Sequence, residues 1–178
     1  MKIMSAVLMA LAFLCFATLA VAQEKKAEAK IALPEAVAKV VSEAFPNVKI
    51  DGTDMEKEIG INIYNIELKA VRVEMEVAED GTVMEVTTFV EMADVPGAAA
   101  AVIQKASQGA TIKEIEKAEN RAEIKKEGKI GRIVKLDNPS PVYEVELAKG
   151  KRMGEIQVAP DGKIVGALKW HARGAKRD

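Results

Sequence analysis

Two segments of the chain alternate apolar and polar residues with the period of two that marks a half-buried strand. Val71, Val73, Met75 and Val77 alternate with Arg72, Glu74, Glu76 and Ala78, so one face is apolar and the other mostly charged. Asp80-Gly81 follows, a two-residue hairpin signal because glycine accepts the positive φ of a type I′ turn. With that turn, Val77 faces Met84, Met75 faces Val86, and Val71 faces Val90. Elsewhere the period is helical. Leu33-Pro34 precedes Val37, Val40, Val41 and Ala44, and Phe45-Pro46-Asn47 ends the run. Proline suits a first helical turn, and the residue before a proline resists helix. Val95-Pro96 opens a second such run with Ala99, Val102, Ile103 and Ala106, closed at Gln108-Gly109.

The pattern occurs twice. Tyr64-Asn65-Ile66-Glu67-Leu68 and Met75 to Val83 reappear as Tyr143-Glu144-Val145-Glu146-Leu147 and Ile156 to Ile164, with tyrosines 79 and Asp-Gly pairs 81 positions apart. The helix starts are only 62 apart, so the second copy carries about 17 extra residues. Arg121 to Pro141 supplies them. Its Gly128, Gly131 and Asn138-Pro139-Ser140-Pro141 mark turns, and Ile130, Ile133, Val134 and Leu136 can form a strand. The same hairpin register in the second copy sets Val158 against Val165 and Ile156 against Ala167. It also sets Met153 beside Trp170, near Leu168 and Ile164, on the face away from the helix. The fold class is therefore α+β: two tandem repeats, 33–92 and 93–170, each a helix packed on an antiparallel β-meander sheet.

Composition adds export. Ile3 to Val21 is almost wholly apolar after Met1-Lys2, and Ala20-Val21-Ala22 presents small residues where a signal peptidase reads them. The expectation is a signal peptide, 1–22, cleaved after Ala22, with release to the periplasm or beyond. An uncleaved anchor is the rival, since about 19 apolar residues nearly span a bilayer. Cys15 would leave with that segment, and with it any disulfide or Cys metal site. Loss of Lys2 leaves a net charge of −2, from 26 basic and 27 acidic residues in the whole chain. That balance argues against a nucleic-acid binder relying on one large positive field. Residues 23–32 read as a flexible leader and 171–178 as a basic tail.

A helix opening with Leu-Pro or Val-Pro, then Tyr-x-Val-Glu-Leu, then Val158-Ala159-Pro160-Asp161-Gly162-Lys163-Ile164 resembles the PepSY-like family. That family is also described as β-lactamase-inhibitor-like. The resemblance is best at Phe45 to Ile50 and Tyr143 to Ile164, and spans nearly all of the chain after residue 22. It implies tandem helix-on-sheet modules, exported by bacteria, and in inhibitor relatives a concave sheet that grips a partner protein. The insert and the absence of disulfides depart from those relatives.

Candidate chemistry is sparse. His171 is the sole histidine and sits in the expected tail, so neither a catalytic triad nor a zinc site has the residues it needs. Asp51, Asp54, Glu56 and Glu58 cluster without the spacing of a calcium loop and read as a solvated turn and strand edge. The paired carboxylates of a glycosidase, roughly 5–10 Å apart, leave no sequence trace, and stacking aromatics are missing nearby. Tyr64 and Tyr143 read as core. The expected function is a non-catalytic exported binding module without cofactor or metal, masking or inhibiting a protein or peptide partner by occlusion. Met153, Leu168 and Trp170 would be its apolar anchors, and Arg72, Glu74 and Glu76 its charged rim. The alternative is a small-ligand or metal-ion binding protein of the envelope.

Overall fold

The computed structural model describes residues 31–139 and 141–173. The expected signal peptide, all of the expected leader but its last two residues, and the end of the expected basic tail lie outside them. Helix α1 (Glu35–Ala44) is followed by strands β1 (Gly52–Glu58), β2 (Ile61–Leu68), β3 (Val73–Ala78) and β4 (Val83–Phe89). Helix α2 (Gly97–Ala106) leads into β5 (Thr111–Asn120), β6 (Ala122–Glu127), β7 (Ile130–Lys135), β8 (Pro141–Lys149), β9 (Arg152–Val158) and β10 (Ile164–Ala172). Eight strands form one antiparallel sheet in the order β1-β2-β3-β4-β5-β8-β9-β10, with β6-β7 a separate hairpin. The two meanders are therefore continuous, joined where β4 pairs with β5, Thr87 opposite Ala118.

Each helix packs through a narrow stripe. Val37 and Val41 of α1 are buried against Tyr64, Ile66 and Leu68 of β2 and Val73, Met75 and Val77 of β3. Ala99 and Ile103 of α2 are buried against Ile115, Tyr143, Val145, Leu147, Ile156 and Val158. Isolated helices of ten residues are marginal in water. Each fully buried Val, Leu or Ile adds ~1.5–3 kcal/mol, so the sheet holds both helices in place. Both tyrosines are core, as their strand positions predict. Ile31, assigned to the leader, instead packs against the α1 cluster with Leu33.

The hairpin turns differ from the two-residue form. Gly81 N–H bonds to Ala78 O at 2.8 Å and Ala78 N–H to Thr82 O at 2.9 Å. The loop thus has three residues, Glu79-Asp80-Gly81, with Gly81 at φ 87 and the Asp80 carboxylate accepting from Thr82 N–H at 2.8 Å. Gly81 packs against the α1 carbonyl of Ala36, which ties the turn to the helix. A bulge after Glu76 then restores the expected register, so Met75 does face Val86 and Glu76 faces Glu85. Val77 meets Val83 rather than Met84, and Met84 joins a separate cluster with Ala78 and Ala122. Val71 does not pair with Val90, because it lies in a short 3-10 turn and is exposed.

The second hairpin shifts further. The loop Pro160-Asp161-Gly162 has the same form, with Gly162 N–H to Ala159 O at 2.9 Å. Ile164, not Val165, faces Val158, and a second irregularity before Lys169 brings Trp170 opposite Gly154 and His171 opposite Met153. Ile156 consequently has no partner at Ala167. Trp170 and Leu168 pack on the helix side against the α2 cluster, so they do not stand on the open face. Met153 keeps the open-face side of β9 with Glu155 and Gln157 but is buried, 9% exposed. His171 and Ala172 belong to β10 and not to a tail.

The absence of a side chain at Gly154 makes room for the indole. A Cβ there would stand 2.7 Å from Trp170 Cε3, and the Arg152 guanidinium lies over the ring, 5.5 Å from its centroid. Gly154→Val should therefore destabilise the fold by about 1–3 kcal/mol and shift Trp170 emission toward longer wavelength. Urea unfolding followed by fluorescence checks this.

Candidate functional site

Because both helices cover the same side, the other face of the eight-stranded sheet meets no second layer among the described residues except at one end. There the β6-β7 hairpin folds over it. Met84, Ala78 and Ala122 are buried with Ile61, Ile124 and Ile133, and Gly131 N–H bonds to Ile59 O at 2.8 Å. The insert thus forms two strands where one was expected, and it walls the open face without covering the second half of the sheet.

The strand register lays the open-face residues out in rows. One runs Asp54, Asn65, Glu76, Glu85, Asn120 across β1 to β5. Its neighbour runs Gly52, Glu67, Glu74, Thr87, Ala118. On the other half Glu116, Glu144 and Gln157 line up, and beside them Glu114, Glu146, Glu155 and Lys169. Each row follows from the period-two alternation, since the apolar partners of these residues face the helices. Over β1 to β4 the face forms a cleft of about 860 Å³, lined by Thr53, Asp54, Glu56, Asn65, Glu67, Glu74, Glu76, Glu85 and Thr87. Asp54 and Glu56, read from sequence as a solvated edge, are exposed but line this cleft.

The carboxylates of β3 and β4 are poorly neutralised. Among the described residues no lysine or arginine forms an ion pair with Glu74, Glu76 or Glu85. Glu67 has Lys69 at 3.3 Å, and Arg121 beside Asn120 is held by Glu119 at 2.8 Å. Neutral donors take up part of the charge. Asn65 Nδ2 donates to Asp54 at 2.7 Å, Thr87 Oγ1 to Glu85 at 2.9 Å, and Gln157 Nε2 to Glu144 at 2.9 Å. Like charges directly opposite each other in a sheet repel. Burial, then Glu85, Glu56, Glu58 and Asp54, push the Glu76 carboxyl up to about 7. Burial and the charges of Glu67, Glu114 and Asp54 also raise Glu74. Asn65 Oδ1, in the cleft wall, is buried without a hydrogen-bond partner, as is Thr53 Oγ1, whose strand position opposite Ile66 faces the helix side.

A carboxyl that is part protonated near neutrality, beside an ionised one, is an arrangement that acid–base chemistry uses. The cleft lining contains neither histidine nor an aromatic ring on which a sugar could stack. Among the described residues no three Asp, Glu, His or Cys side chains converge as metal ligands would. Arg72, expected on the rim, sits at the end of the face at φ 54, with Glu91 at 3.2 Å and the Phe89 ring 6.0 Å away. Sequence reasoning placed Glu74 and Glu76 on one charged face but did not single out Asp54, Glu56, Asn65 and Glu85 with them. The strong β1 alternation of acids, Asp54, Glu56 and Glu58, was the available signal.

No protein-family model and no curated protein matches the chain. Solved structures do. A BLIP-like protein from Bacteroides fragilis matches with TM-score 0.54 at 9% identity, over 83% of this chain and 93% of that one. A candidate periplasmic protein from Bacteroides eggerthii gives TM-score 0.56 at 10% identity, over 79% and 90%. A DUF2874 family protein from Bacteroides uniformis gives 0.52 at 12%, over 78% and 90%. The chain has a BLIP-like fold. A mostly antiparallel sheet with two helices is what the sequence resemblance implied at this level.

The raised Glu76 carboxyl has a signed effect on stability. Its folded pKa lies above the unfolded value, so between about pH 4.5 and 7 the folded state holds the extra proton and stability falls as pH rises. Glu76→Gln removes the charge, so the variant should match the parent at pH 4 and exceed it at pH 8. The expected gain is about 1–2 kcal/mol. That is less than the ~3 kcal/mol of the full displacement, because the side chain keeps solvent contact and its repulsions are screened. Urea melts at the two pH values measure it.

Proposed function

We propose that this chain is an exported, non-catalytic binding protein that holds a macromolecular partner against the open face of its sheet. The observation that carries this reading is a sheet face lined with carboxylates from β1 to β9, covered among the described residues by no second layer beyond the β6-β7 hairpin. A monomer with no further role gains nothing from such crowding of like charge, which costs stability. The apolar start and Ala20-Val21-Ala22 support export to the periplasm or beyond with cleavage after Ala22. The BLIP-like fold supports a binding role by analogy of fold, which is a weaker warrant than the face itself.

In this reading the chain is a duplicated PepSY-like unit. Helix α1 with β1–β4 and helix α2 with β5 and β8–β10 are the two copies, and β6-β7 is the insert of the second. The two copies share one docking face. Glu74, Glu76 and Met153 belong to it and Arg72 stands at its edge. Leu168 and Trp170 support it from behind as core. Occlusion of a partner's site, and hence inhibition or masking, follows from a broad preformed surface of this kind.

The test is partner capture with matched variants. Glu155→Arg places a long cation in the open face of the second half. Lys105→Glu alters charge at the end of α2, on the helix side. The first should weaken capture from the envelope and secreted fraction at least about tenfold, equivalent to 1.4 kcal/mol, and the second should leave it unchanged, with both melting as the parent does. Equal effects would remove the open face as the docking surface.

A further inference from the structure

We propose that the cleft over β1–β4 receives a lysine- or arginine-bearing segment of the partner protein, with a cationic head seated between Glu76 and Glu85. This rests on the docking face proposed above and names what that face reads. Two independent observations lead to it.

The first is charge. Asp54, Glu67, Glu74, Glu76 and Glu85 converge on the cleft from four strands, and no cation of the described residues is paired with the last three. The second is hydrogen bonding. The donors of the wall are turned on the wall itself, Asn65 Nδ2 on Asp54 and Thr87 Oγ1 on Glu85. What faces the cleft is dominated by acceptors, the carboxylate oxygens and the buried, unpartnered Asn65 Oδ1. A buried acceptor left unpaired is costly. A wall rich in acceptors favours a donor-rich occupant, which an ammonium with three N–H groups or a guanidinium with five supplies. An anion or an apolar side chain would leave both the charges and the orphaned oxygen unanswered.

Shape decides between a point ion and a side chain. Asp54 and Glu85 lie three strand spacings apart, about 14 Å, and no three of these groups converge on a single metal position. A string of charge spread along a row suits an extended peptide whose basic residues lie across the strands. Proton linkage follows. Glu76 faces Asp54, Glu56 and Glu58 from β1 and Glu85 from β4, while Arg121 near the row is already held by Glu119. Arrival of a cation favours the ionised carboxylate, so binding releases a proton near neutrality and weakens as the solution is acidified.

The probe is a short fluorescent oligolysine peptide, titrated into the purified protein by anisotropy at low salt. Binding should weaken several-fold to about tenfold between pH 8 and pH 6, and more at physiological ionic strength. Glu76→Gln and Glu85→Gln, which relieve repulsion and so keep the fold, should each weaken binding at pH 8, and Glu76→Gln should flatten the pH response. Glu35→Gln on α1 should change neither. No oligolysine binding, or an equal loss from Glu35→Gln, would overturn the cation-reading cleft. Capture that remains sensitive to Glu155→Arg in that case would leave the docking face standing. Self-association abolished by Lys125→Glu with Lys126→Glu would put the basic β6-β7 hairpin of a second copy in the cleft, and would overturn the external partner.

Discussion

Both helices pack on one side of a single sheet, and the rest of the structure depends on that constraint. Each helix offers only a narrow stripe, Val37 and Val41 in α1 and Ala99 and Ile103 in α2, so burial of the strands' apolar residues must happen on the shared side. The period-two alternation of a strand then commits every intervening residue to the other face. Pairing of β4 with β5 makes the two halves one surface. Without it the acids of β1–β4 and those of β5, β8 and β9 would line separate sheets.

Local irregularities decide where the alternation is read. Three-residue turns at Glu79-Asp80-Gly81 and Pro160-Asp161-Gly162 let Gly81 and Gly162 approach the backbones of Ala36 and Ala98 in the two helices. These turns offset each hairpin by one residue. In β4 the offset is absorbed at once by a bulge that diverts Met84 to the open side, where the inserted hairpin covers it. In β10 it is absorbed by Gly166, but a second irregularity before Lys169 slips the register again, and Trp170 ends over Gly154 with Arg152 on its ring. The same device therefore builds a wall for the cleft in one half and completes the core in the other.

Much of the fold was legible in the residues. The prolines and apolar spacing marked both helices, and the alternation of Val73, Met75 and Val77 against Glu74 and Glu76 assigned the open face of the first half correctly. Trp170 was misplaced because a period of two gives no sign of the second irregularity before Lys169, and one residue of slip exchanges the faces. Asp-Gly fits a two-residue turn and also a three-residue turn with glycine in the left-handed region, so composition alone does not choose. The cleft was hidden for another reason. Asp54, Asn65, Glu76 and Glu85 come from four strands, and only the register shows that they share a row. The orphaned oxygens of Thr53 and Asn65 are a product of that packing and have no sequence signature.

The central claim is that Glu74, Glu76 and Glu85 carry negative charge on the open face that no ion pair among the described residues compensates. Titration of the glutamate side-chain carboxyl carbons by NMR, from pH 3 to pH 9 in the unliganded protein, tests it most directly. The account predicts a Glu76 midpoint at about 7, with Glu74 also above the ordinary glutamate range. Midpoints for both within the ordinary range would show that the face is already neutralised, and would contradict the account.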